Sequence, residues 1–407
     1  MTTTQTPDTL HRILDYSSRA DPYPLYAELR NTPAARQEDG SYVISTYREL
    51  MDILHNPHLS SDLRNLSRPM EAVEGRGTQA FINLDPPEHD RLRRMAMRHF
   101  GPPHTPGLVT GLEPDLTSTV SSLIDDFVGK EQIDIVDDFA YPFPVTVICH
   151  LLGVPREDES RFHQWVNDVI NSIAYNPKTD PKEKLEKGQQ ATKDLRQYLA
   201  GLVQQRHGRP GEDLLSRLVN DDGPDGRMTD EEIVATANLL LIAGHETTVN
   251  LITNGMLTLL RHPQVLQRLR DEPGLVVPLV EELLRYEPPV HIIPWRAAYS
   301  DITVADTVIP KGSQIMLMLA SGSRDPNRFH DPDRFDPDRR DNQHLGFGSG
   351  IHLCFGGPLA RRETQIALTE LVHRLDRPKL LADPPPYRPS PVLRGPIHLH
   401  IQQGGDG

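Results

Sequence analysis

The chain has 407 residues, and its 43 Lys and Arg side chains against 57 Asp and Glu give a formal net charge of −14. This acidic balance argues against nucleic acid or an anionic membrane as a partner. The two cysteines lie far apart, which excludes a disulfide framework and suits a reducing cytoplasm. The polar N-terminal segment has no secretory signal pattern, and no apolar run is long enough to predict a membrane span.

Helical patterns dominate most of the chain. The first 60 residues predict a short helix over 21–30 and a strand over 41–46, and the segment 56–87 is irregular. From residue 88 to about 285 the pattern is helical. Its breaks fall at 101–106, near 155, and at 176–180, 208–211 and 221–226.

The last third of the chain contains more strands. Residues 296–320 predict strands with a turn at 310–312, the segment 324–340 is irregular, and 386–402 predicts a last strand pair. We therefore predict an α+β fold that is mainly α. Because no linker divides it, we expect a single domain over 1–407, with flexible ends at 1–20 and 403–407.

The longest helical pattern runs from Thr229 to about Leu260, and Thr229 with Glu232 forms a capping box at its start. It is apolar nearly all round, as a buried central helix should be. Its middle, with the sequence AGHETT over 243–248, places a glycine, a carboxylate and two hydroxyls where they are costly. This predicts a locally opened turn with room for a ligand and a few waters. A zinc motif of the HExxH type is excluded because position 249 is Val249.

Two further motifs follow. Glu282 and Arg285 are three residues apart, on one helix face, and can pair. Cys354 lies in the glycine-rich string FGSGIHLCFGGPLAR, far from the other cysteine, Cys149. The glycines let a bulky partner approach, and a helix predicted from Pro358 favours negative charge at the sulfur. The pattern indicates a thiolate that ligates a metal, and its alternative is a buried structural cysteine.

The string around Cys354 resembles the haem-binding loop of the cytochromes P450, and AGHETT resembles the oxygen-binding notch of that family. The resemblance covers nearly the whole chain after residue 20. It implies the P450 fold, with haem b between the long central helix and the helix after the cysteine loop, and Cys354 as the iron ligand. It also implies that Thr247 hydrogen-bonds the oxygen or its water, that Glu246 feeds protons inward, and that Ala243 and Gly244 leave space over the iron.

The resemblance assigns the remaining haem contacts and a structural clamp. Haem propionates call for basic side chains from separate segments. The implied cofactor-binding residues are His89, Arg93, Ala243, Gly244, Arg296, Phe347, Gly348, His352, Cys354 and Gly356. In the family, the pair corresponding to Glu282 and Arg285 is buried, binds a later arginine and braces the cysteine loop. Arg334 and Arg339 are both candidates for that arginine.

The implied function is that of a soluble bacterial cytochrome P450 monooxygenase, a cytoplasmic monomer that inserts one atom of O2 into a small, mostly apolar organic substrate by hydroxylation or epoxidation. A steroid, terpenoid, fatty acid or macrolide is expected. The predicted pocket walls are Leu240, Ala243, Val290, Ile292, Ile293, Val392 and Leu393. We expect His291 to be a surface residue rather than a polar anchor, and the segment 171–187 to be a mobile lid.

The electrons are expected from a ferredoxin. The chain shows no GxGxxG or P-loop pattern, and only 53 residues follow Cys354, too few for a fused reductase. A local excess of basic residues predicts a positive docking patch, with a solvated basic helix face as the alternative. These basic residues are Arg91, Arg93, Arg94, Arg98, Arg361 and Arg362.

Three alternatives stay open at this point. A peroxygenase would use peroxide, but members of that kind lose the acid–threonine pair that Glu246 and Thr247 supply. A P450 that performs oxidative coupling or rearrangement would share every motif above. A haem-binding sensor or carrier would need no proton relay, so the same pair argues against it.

Overall fold

The computed structural model describes residues 7–67, 78–100, 107–127, 129–173 and 181–404. The breaks predicted at 101–106 and 176–180, and parts of the 56–87 segment and of the 171–187 lid, lie outside the described residues. Contacts divide the chain into two compact units. The first unit contains residues 1–74, 120–140 and 247–407, and the second contains 75–119 and 141–246.

The described residues are mostly helical. In chain order the helices are α1 (Pro7–Leu14), α2 (Tyr23–Leu29), α3 (Tyr47–Leu54), α4 (Glu88–Phe100), α5 (Gly107–Asp125), α6 (Pro142–Leu152), α7 (Glu159–Ile173), α8 (Pro181–Arg206), α9 (Leu214–Val219), α10 (Asp230–Arg261), α11 (Pro263–Asp271), α12 (Val276–Tyr286), α13 (Leu319–Gly322) and α14 (Gly357–Arg374). The predicted helices over 21–30 and from Pro358 correspond to α2 and α14.

The strands belong to the first unit. They are β1 (Ala34–Arg36), β2 (Tyr42–Ile44), β3 (Leu59–Ser60), β4 (Gln132–Asp134), β5 (Ile293–Ala298), β6 (Ile302–Val304), β7 (Thr307–Ile309), β8 (Gln314–Leu317), β9 (Lys379–Leu380) and β10 (His400–Gln402). One sheet has the order β1-β2-β8-β5-β3, in which β2 and β8 are parallel and the other pairs antiparallel. A second sheet has the order β4-β10-β9, and β6 pairs with β7.

The core of the first unit lies on both faces of the five-stranded sheet. Successive side chains of a strand point to opposite faces, so Tyr42 and Ile44 of β2 pack with Leu50 of α3 while Val43 between them packs with Leu29 of α2. Burial of both faces explains why β2 is apolar without alternation.

The second unit is helical, and α7 and α8 pack against each other more extensively than any other pair of elements among the described residues. Phe162 of α7 is fully buried and meets the Tyr198 ring of α8 edge-on, with 5.0 Å between ring centroids. Aromatic packing of this kind joins two helices whose sequences carry many charged residues.

Helix α10 crosses the division between the two units at Glu246 and Thr247. The predicted capping box at its start is confirmed, because the Thr229 amide donates to Glu232 Oε2 at 2.8 Å and the Glu232 amide donates to Thr229 Oγ1 at 3.2 Å. The helix continues without interruption through 243–248, so the prediction of a locally opened turn is wrong. The small residues Ala243 and Gly244 keep side-chain volume low in this stretch.

Three other predictions about chain segments need correction. Residues 386–402 do not form a strand pair, because β10 pairs with β4 and β9 and only an isolated bridge joins Tyr387 to Pro396. β4 lies inside the stretch predicted as helical. The expected flexible N-terminal end also differs, since residues 7–14 form α1 and its Ile13 is fully buried in the core. These differences arise from contacts between segments far apart in the chain, namely strand pairing for β4 and β10 and core packing for α1.

Candidate active site

Cys354 lies between a short 3₁₀ turn, Gly350–His352, and the start of α14. Its amide donates to the Phe347 carbonyl at 2.9 Å, which closes the loop on itself. Gly350 has a φ of 70°, and a Cβ there would lie 2.2 Å from the Leu54 carbonyl oxygen. Only glycine fits this position without displacing α3.

The two thiols of the chain have different environments. Cys354 is exposed, whereas Cys149 on α6 is buried. Burial raises the pKa of Cys149 to about 12, so that thiol stays protonated and unreactive. Cys354 is therefore the thiol that is accessible to a ligand. The alternative that it is a buried structural cysteine is wrong.

Helix α12 supports the cysteine loop from one side. A Cβ at Gly346 would lie 2.5 Å from the Leu284 carbonyl oxygen, so the loop approaches the helix backbone closely. Glu281 accepts hydrogen bonds from Arg361 at 2.7 Å and His344 at 3.2 Å. Burial opposes ionisation of Glu281, but these two partners outweigh it and lower its pKa to about 2.

The predicted clamp also forms on α12. Glu282 and Arg285 are both fully buried and pair through two bonds of 2.7 and 2.8 Å. The structure selects Arg339 as the third member, because its Nε lies 3.3 Å from Glu282 Oε2. Arg334 instead contributes its carbonyl oxygen to Arg285, at 3.1 Å, and its side chain is 67% exposed.

One face of α10 is uncovered at its middle. Leu239 and Thr247 are partly exposed and Ala243 is exposed, at four-residue spacing, although most of their neighbours are buried. A Cβ at Gly244 would meet only Ile148, at 3.8 Å. Glu246 is buried. Ala243 and Gly244 carry little side-chain volume and leave this face open. Leu239 also lies on it, whereas Leu240, which the sequence predicted as a pocket wall, is buried.

The predicted propionate ligands lie in separate units. In the second unit, His89 and Arg93 share a face of α4 beside Phe81, with a His89–Phe81 centroid distance of 6.3 Å. The His89 Nδ1 is 2.8 Å from Asp90 Oδ1, which orients the ring. In the first unit, Arg296 lies on β5, and His352 Nε2 is 2.8 Å from Ser61 Oγ. Their role toward a haem stays a prediction.

The predicted pocket walls are partly brought together. Val290 and Leu393 form an isolated bridge, and the His291 amide donates to the Val392 carbonyl at 2.9 Å. Val290 and Leu393 are partly exposed, as are Ile293 and Val392. Ile292 is a correction, because it is buried in the core cluster with α1 and α2.

His291 is also a correction. It is buried, and its Nδ1 lies 2.8 Å from the Tyr26 hydroxyl. Burial and the nearby arginines lower its pKa well below the ordinary value, so the ring is neutral. Local sequence patterns could not predict this contact, because Tyr26 lies 265 residues away in the chain.

Most of the predicted positive patch is neutralised by carboxylates. Arg91 pairs with Glu232, and Arg361 pairs with Glu281. Arg98 lies 2.8 Å from Asp221, and Arg94 lies 3.3 Å from Asp225. Each of these four guanidinium groups therefore has a carboxylate partner, although the Arg94 side chain is 58% exposed, and a role of this surface in docking stays a prediction.

One described segment, Ile135–Leu152, has the length and apolar composition of a membrane span, and 67% of it is buried inside the structure. A core helix passes the same criteria, so this segment is weak support for a membrane span.

The residues around Cys354 and on α10 have the chemistry that haem b requires. The exposed Cys354 thiol is flanked by exposed Ile351 and Leu353, so a soft ligand is surrounded by apolar surface. A large, mostly apolar ring with an iron at its centre matches this chemistry. On α10, Ala243 is exposed and Gly244 partly exposed, so little side-chain volume stands on that face of the helix.

A family model, curated relatives and solved structures were compared with the chain, and all of them point to the same family. A family model described as cytochrome P450 matches residues 64–396. The chain is 39% identical over 395 residues to the cytochrome P450 monooxygenase PikC of Streptomyces venezuelae, covering 94% of this chain and 91% of that protein. It is 36% identical over 415 residues to a vitamin D(3) 25-hydroxylase of Pseudonocardia autotrophica, covering 99% and 98%. The ligand-free crystal structure of Mycobacterium smegmatis CYP164A2 superposes with a TM-score of 0.88 at 38% identity, covering 98% of this chain and 100% of that one.

Proposed function

Since the chain belongs to the cytochrome P450 family and is a monooxygenase with haem b as its cofactor, we propose that it inserts one atom of O2 into a mostly apolar organic molecule by hydroxylation or epoxidation. The exposed Cys354 thiol in its braced glycine-rich loop is the observation that carries this proposal. For a hydroxylation, the balance is R–H plus O2, two electrons and two protons, which give R–OH and one water.

Each motif would have a defined role. When bound, haem supplies the iron centre that activates O2. The Cys354 sulfur would bind that iron, and α12 would hold the cysteine loop in place through the contacts of Glu281 and Gly346. The basic side chains proposed to bind the propionates are His89, Arg93, Arg296 and His352.

Residues of α10 would handle protons. Thr247 is partly exposed on the uncovered face, where its hydroxyl would hold a hydrogen bond to oxygen or water. Glu246 is buried and adjacent in the chain, and its carboxyl would supply the proton that Thr247 passes on. Ala243 and Gly244 would keep that face free of side-chain volume.

The substrate is proposed to be mostly apolar, in the range of steroids, terpenoids, fatty acids and macrolides. Partly exposed apolar side chains at the bridged segments support this, namely Val290, Ile293, Val392 and Leu393. Apolar walls gain free energy by removing apolar ligand surface from water. One relative is by its name a vitamin D(3) 25-hydroxylase, which is consistent with a substrate of this class.

A ferredoxin-type protein is proposed as the electron donor, with the enzyme acting as a cytoplasmic monomer. Because Arg91, Arg94, Arg98 and Arg361 are paired with carboxylates, we expect docking to depend only weakly on ionic strength. The acidic net charge and the absence of a disulfide framework from the sequence suit the cytoplasm.

The first experiment tests the thiolate. The purified, haem-loaded protein is reduced, carbon monoxide is added, and the Soret band is recorded for the parent chain and two cysteine variants. Cys354→Ser should lose the red-shifted band of an axial thiolate, and Cys149→Ser, the matched control, should keep it. A parent protein that is folded and haem-loaded yet never shows this band would refute the proposal.

The second experiment tests the reaction. Apolar compounds are screened for a spectral shift of the ferric haem, and binders are then incubated with NAD(P)H, a surrogate ferredoxin and its reductase under isotopically labelled O2. Monooxygenation predicts product that carries one labelled oxygen atom. Product without labelled oxygen would instead indicate oxidative coupling or rearrangement.

A further inference from the structure

Two imidazoles near the C-terminal end stand beside a carboxylate of another strand. His400 is the first residue of β10, and its register partner on β4 is Asp134. His398 is two residues earlier, so an extended chain places both histidines on one face. Their rings stack with centroids 5.4 Å apart and planes within 9°. Neither histidine was assigned a role by the sequence motifs.

The Asp134 carboxylate is held in one orientation. Its Oδ1 accepts hydrogen bonds from the Leu399 amide at 2.8 Å and the Val136 amide at 3.0 Å. Its Oδ2 lies 2.7 Å from His398 Nδ1 and 3.8 Å from His400 Nδ1. Because backbone amides hold Oδ1, Oδ2 is directed at both imidazoles. The carboxylate therefore loses little conformational entropy when it binds a ligand.

A second carboxylate extends the group. Asp137 Oδ2 lies 3.4 Å from His398 Nδ1. The Asp134 side chain is only 10% exposed, while those of His398 and His400 are 42% and 54% exposed. The Asp134 carboxylate is thus the buried, fixed member of the cluster. The two exposed imidazoles can rotate and so change the distances between their nitrogens and the carboxylate.

We propose that Asp134, His398 and His400 bind a divalent transition-metal cation of the zinc type, with Asp137 able to complete the coordination. One ligand atom from each of the first three lies within 4.8 Å of the others. A tetrahedral zinc ion takes nitrogen and oxygen ligands at about 2.0–2.2 Å, so small rotations of the exposed rings close the site. Two imidazoles favour zinc, copper or nickel over magnesium or calcium, which prefer oxygen.

The bound cation would join the C-terminal strand to β4. β10 has only three residues, so its pairing with β4 is short, and a cation held by Asp134 and His400 would add a side-chain link to that pairing. A cation that binds the folded chain and not the unfolded chain stabilises the fold in proportion to the logarithm of its concentration. This site is independent of the proposed monooxygenase function, and its ligands share no residue with the proposed haem contacts.

Zinc binding to tag-free, chelator-treated, haem-loaded protein is the test. Haem-loaded protein is needed because an exposed Cys354 thiol could itself bind zinc. Isothermal titration should give one site per chain, and the unfolding midpoint should rise with zinc concentration but not with magnesium. His398→Gln and His400→Gln should each weaken binding at least about tenfold, and the double variant should abolish it.

His207→Gln is the matched control. His207 is also an exposed imidazole beside a carboxylate, with its Nε2 3.0 Å from Asp230 Oδ1, but it lies outside the cluster. It should leave zinc affinity unchanged. Equal loss in this control, unchanged affinity in the double variant, or equal binding of magnesium would overturn the proposal. Anomalous diffraction from zinc-soaked crystals should place the ion between Asp134 and the two rings, and an ion located elsewhere would contradict it.

Discussion

Thr248 on α10 donates a hydrogen bond to Glu363 on α14, so the helix with the notch and the helix after the cysteine loop share a buried carboxyl group. Glu363 is 3% exposed, and burial raises its pKa to about 8 although the Thr248 bond opposes this. The burial of Glu363 could not be predicted from the sequence, because a Glu on a helix that also carries many charged residues normally faces water.

Glu363→Gln should flatten the pH dependence of stability. The native state holds this proton more tightly than the unfolded chain, whose carboxyl has the ordinary pKa of 4.5. The stabilising contribution is therefore full below pH 4.5 and is lost as the pH rises toward 8, by at most about 1.4 kcal/mol per pH unit. Denaturant unfolding at pH 6 and pH 8 should show a smaller fall for the variant than for the parent.

Glu370→Gln serves as the control for that measurement, because Glu370 is on the same helix and partly exposed. It should retain the pH dependence of the parent. If Glu363→Gln and the parent lose the same stability between the two pH values, Glu363 does not carry a buried proton.

Thr247→Ala should keep haem and substrate binding but waste electrons as hydrogen peroxide. The variant loses the hydroxyl that we propose to hold a proton on the uncovered face of α10. Product per NAD(P)H should fall at least about tenfold, since loss of acid–base catalysis slows the catalysed step by about 10²- to 10⁴-fold. Thr253→Ala is the matched control, since that hydroxyl is buried and donates to the Val249 carbonyl at 2.9 Å. Intact coupling in Thr247→Ala would remove the relay role.

Arg339→Ala should destabilise the fold far more than Arg334→Ala. The Arg339 guanidinium pairs with the fully buried Glu282 and donates to the His330 carbonyl at 2.7 Å. Its loss leaves part of a buried charge uncompensated, at about 2–4 kcal/mol of the free energy of unfolding. The exposed Arg334 side chain should cost under about 0.5 kcal/mol. Urea unfolding measures both, and equal effects would mean that the side chain of Arg339 is not the third member of the clamp.

Gly350→Ala should damage the cysteine loop more than Gly348→Ala. Both glycines have φ near 70°, so each alanine costs about 1–2 kcal/mol of backbone strain. Only Gly350 adds a clash, with the Leu54 carbonyl oxygen, whereas a Cβ at Gly348 meets nothing within 4 Å. Haem retention during thermal unfolding should therefore fall further for Gly350→Ala. Matching losses in the two variants would show that contact with α3 is unimportant.

Local sequence rules determined the features that fit within a few turns of chain. The capping box of Thr229 and Glu232, the position of Pro358 in the first turn of α14 and the pairing of Glu282 with Arg285 all involve groups three residues apart or less. The family resemblance added Cys354, and the structure shows it exposed.

Only the tertiary structure decided which distant groups meet. It selected Arg339 over Arg334, buried His291 against Tyr26, paired β10 with β4, and set Asp134 beside His398. The free energy of such contacts depends on burial and on partners tens to hundreds of residues away, and neither quantity is encoded in the spacing of neighbouring residues.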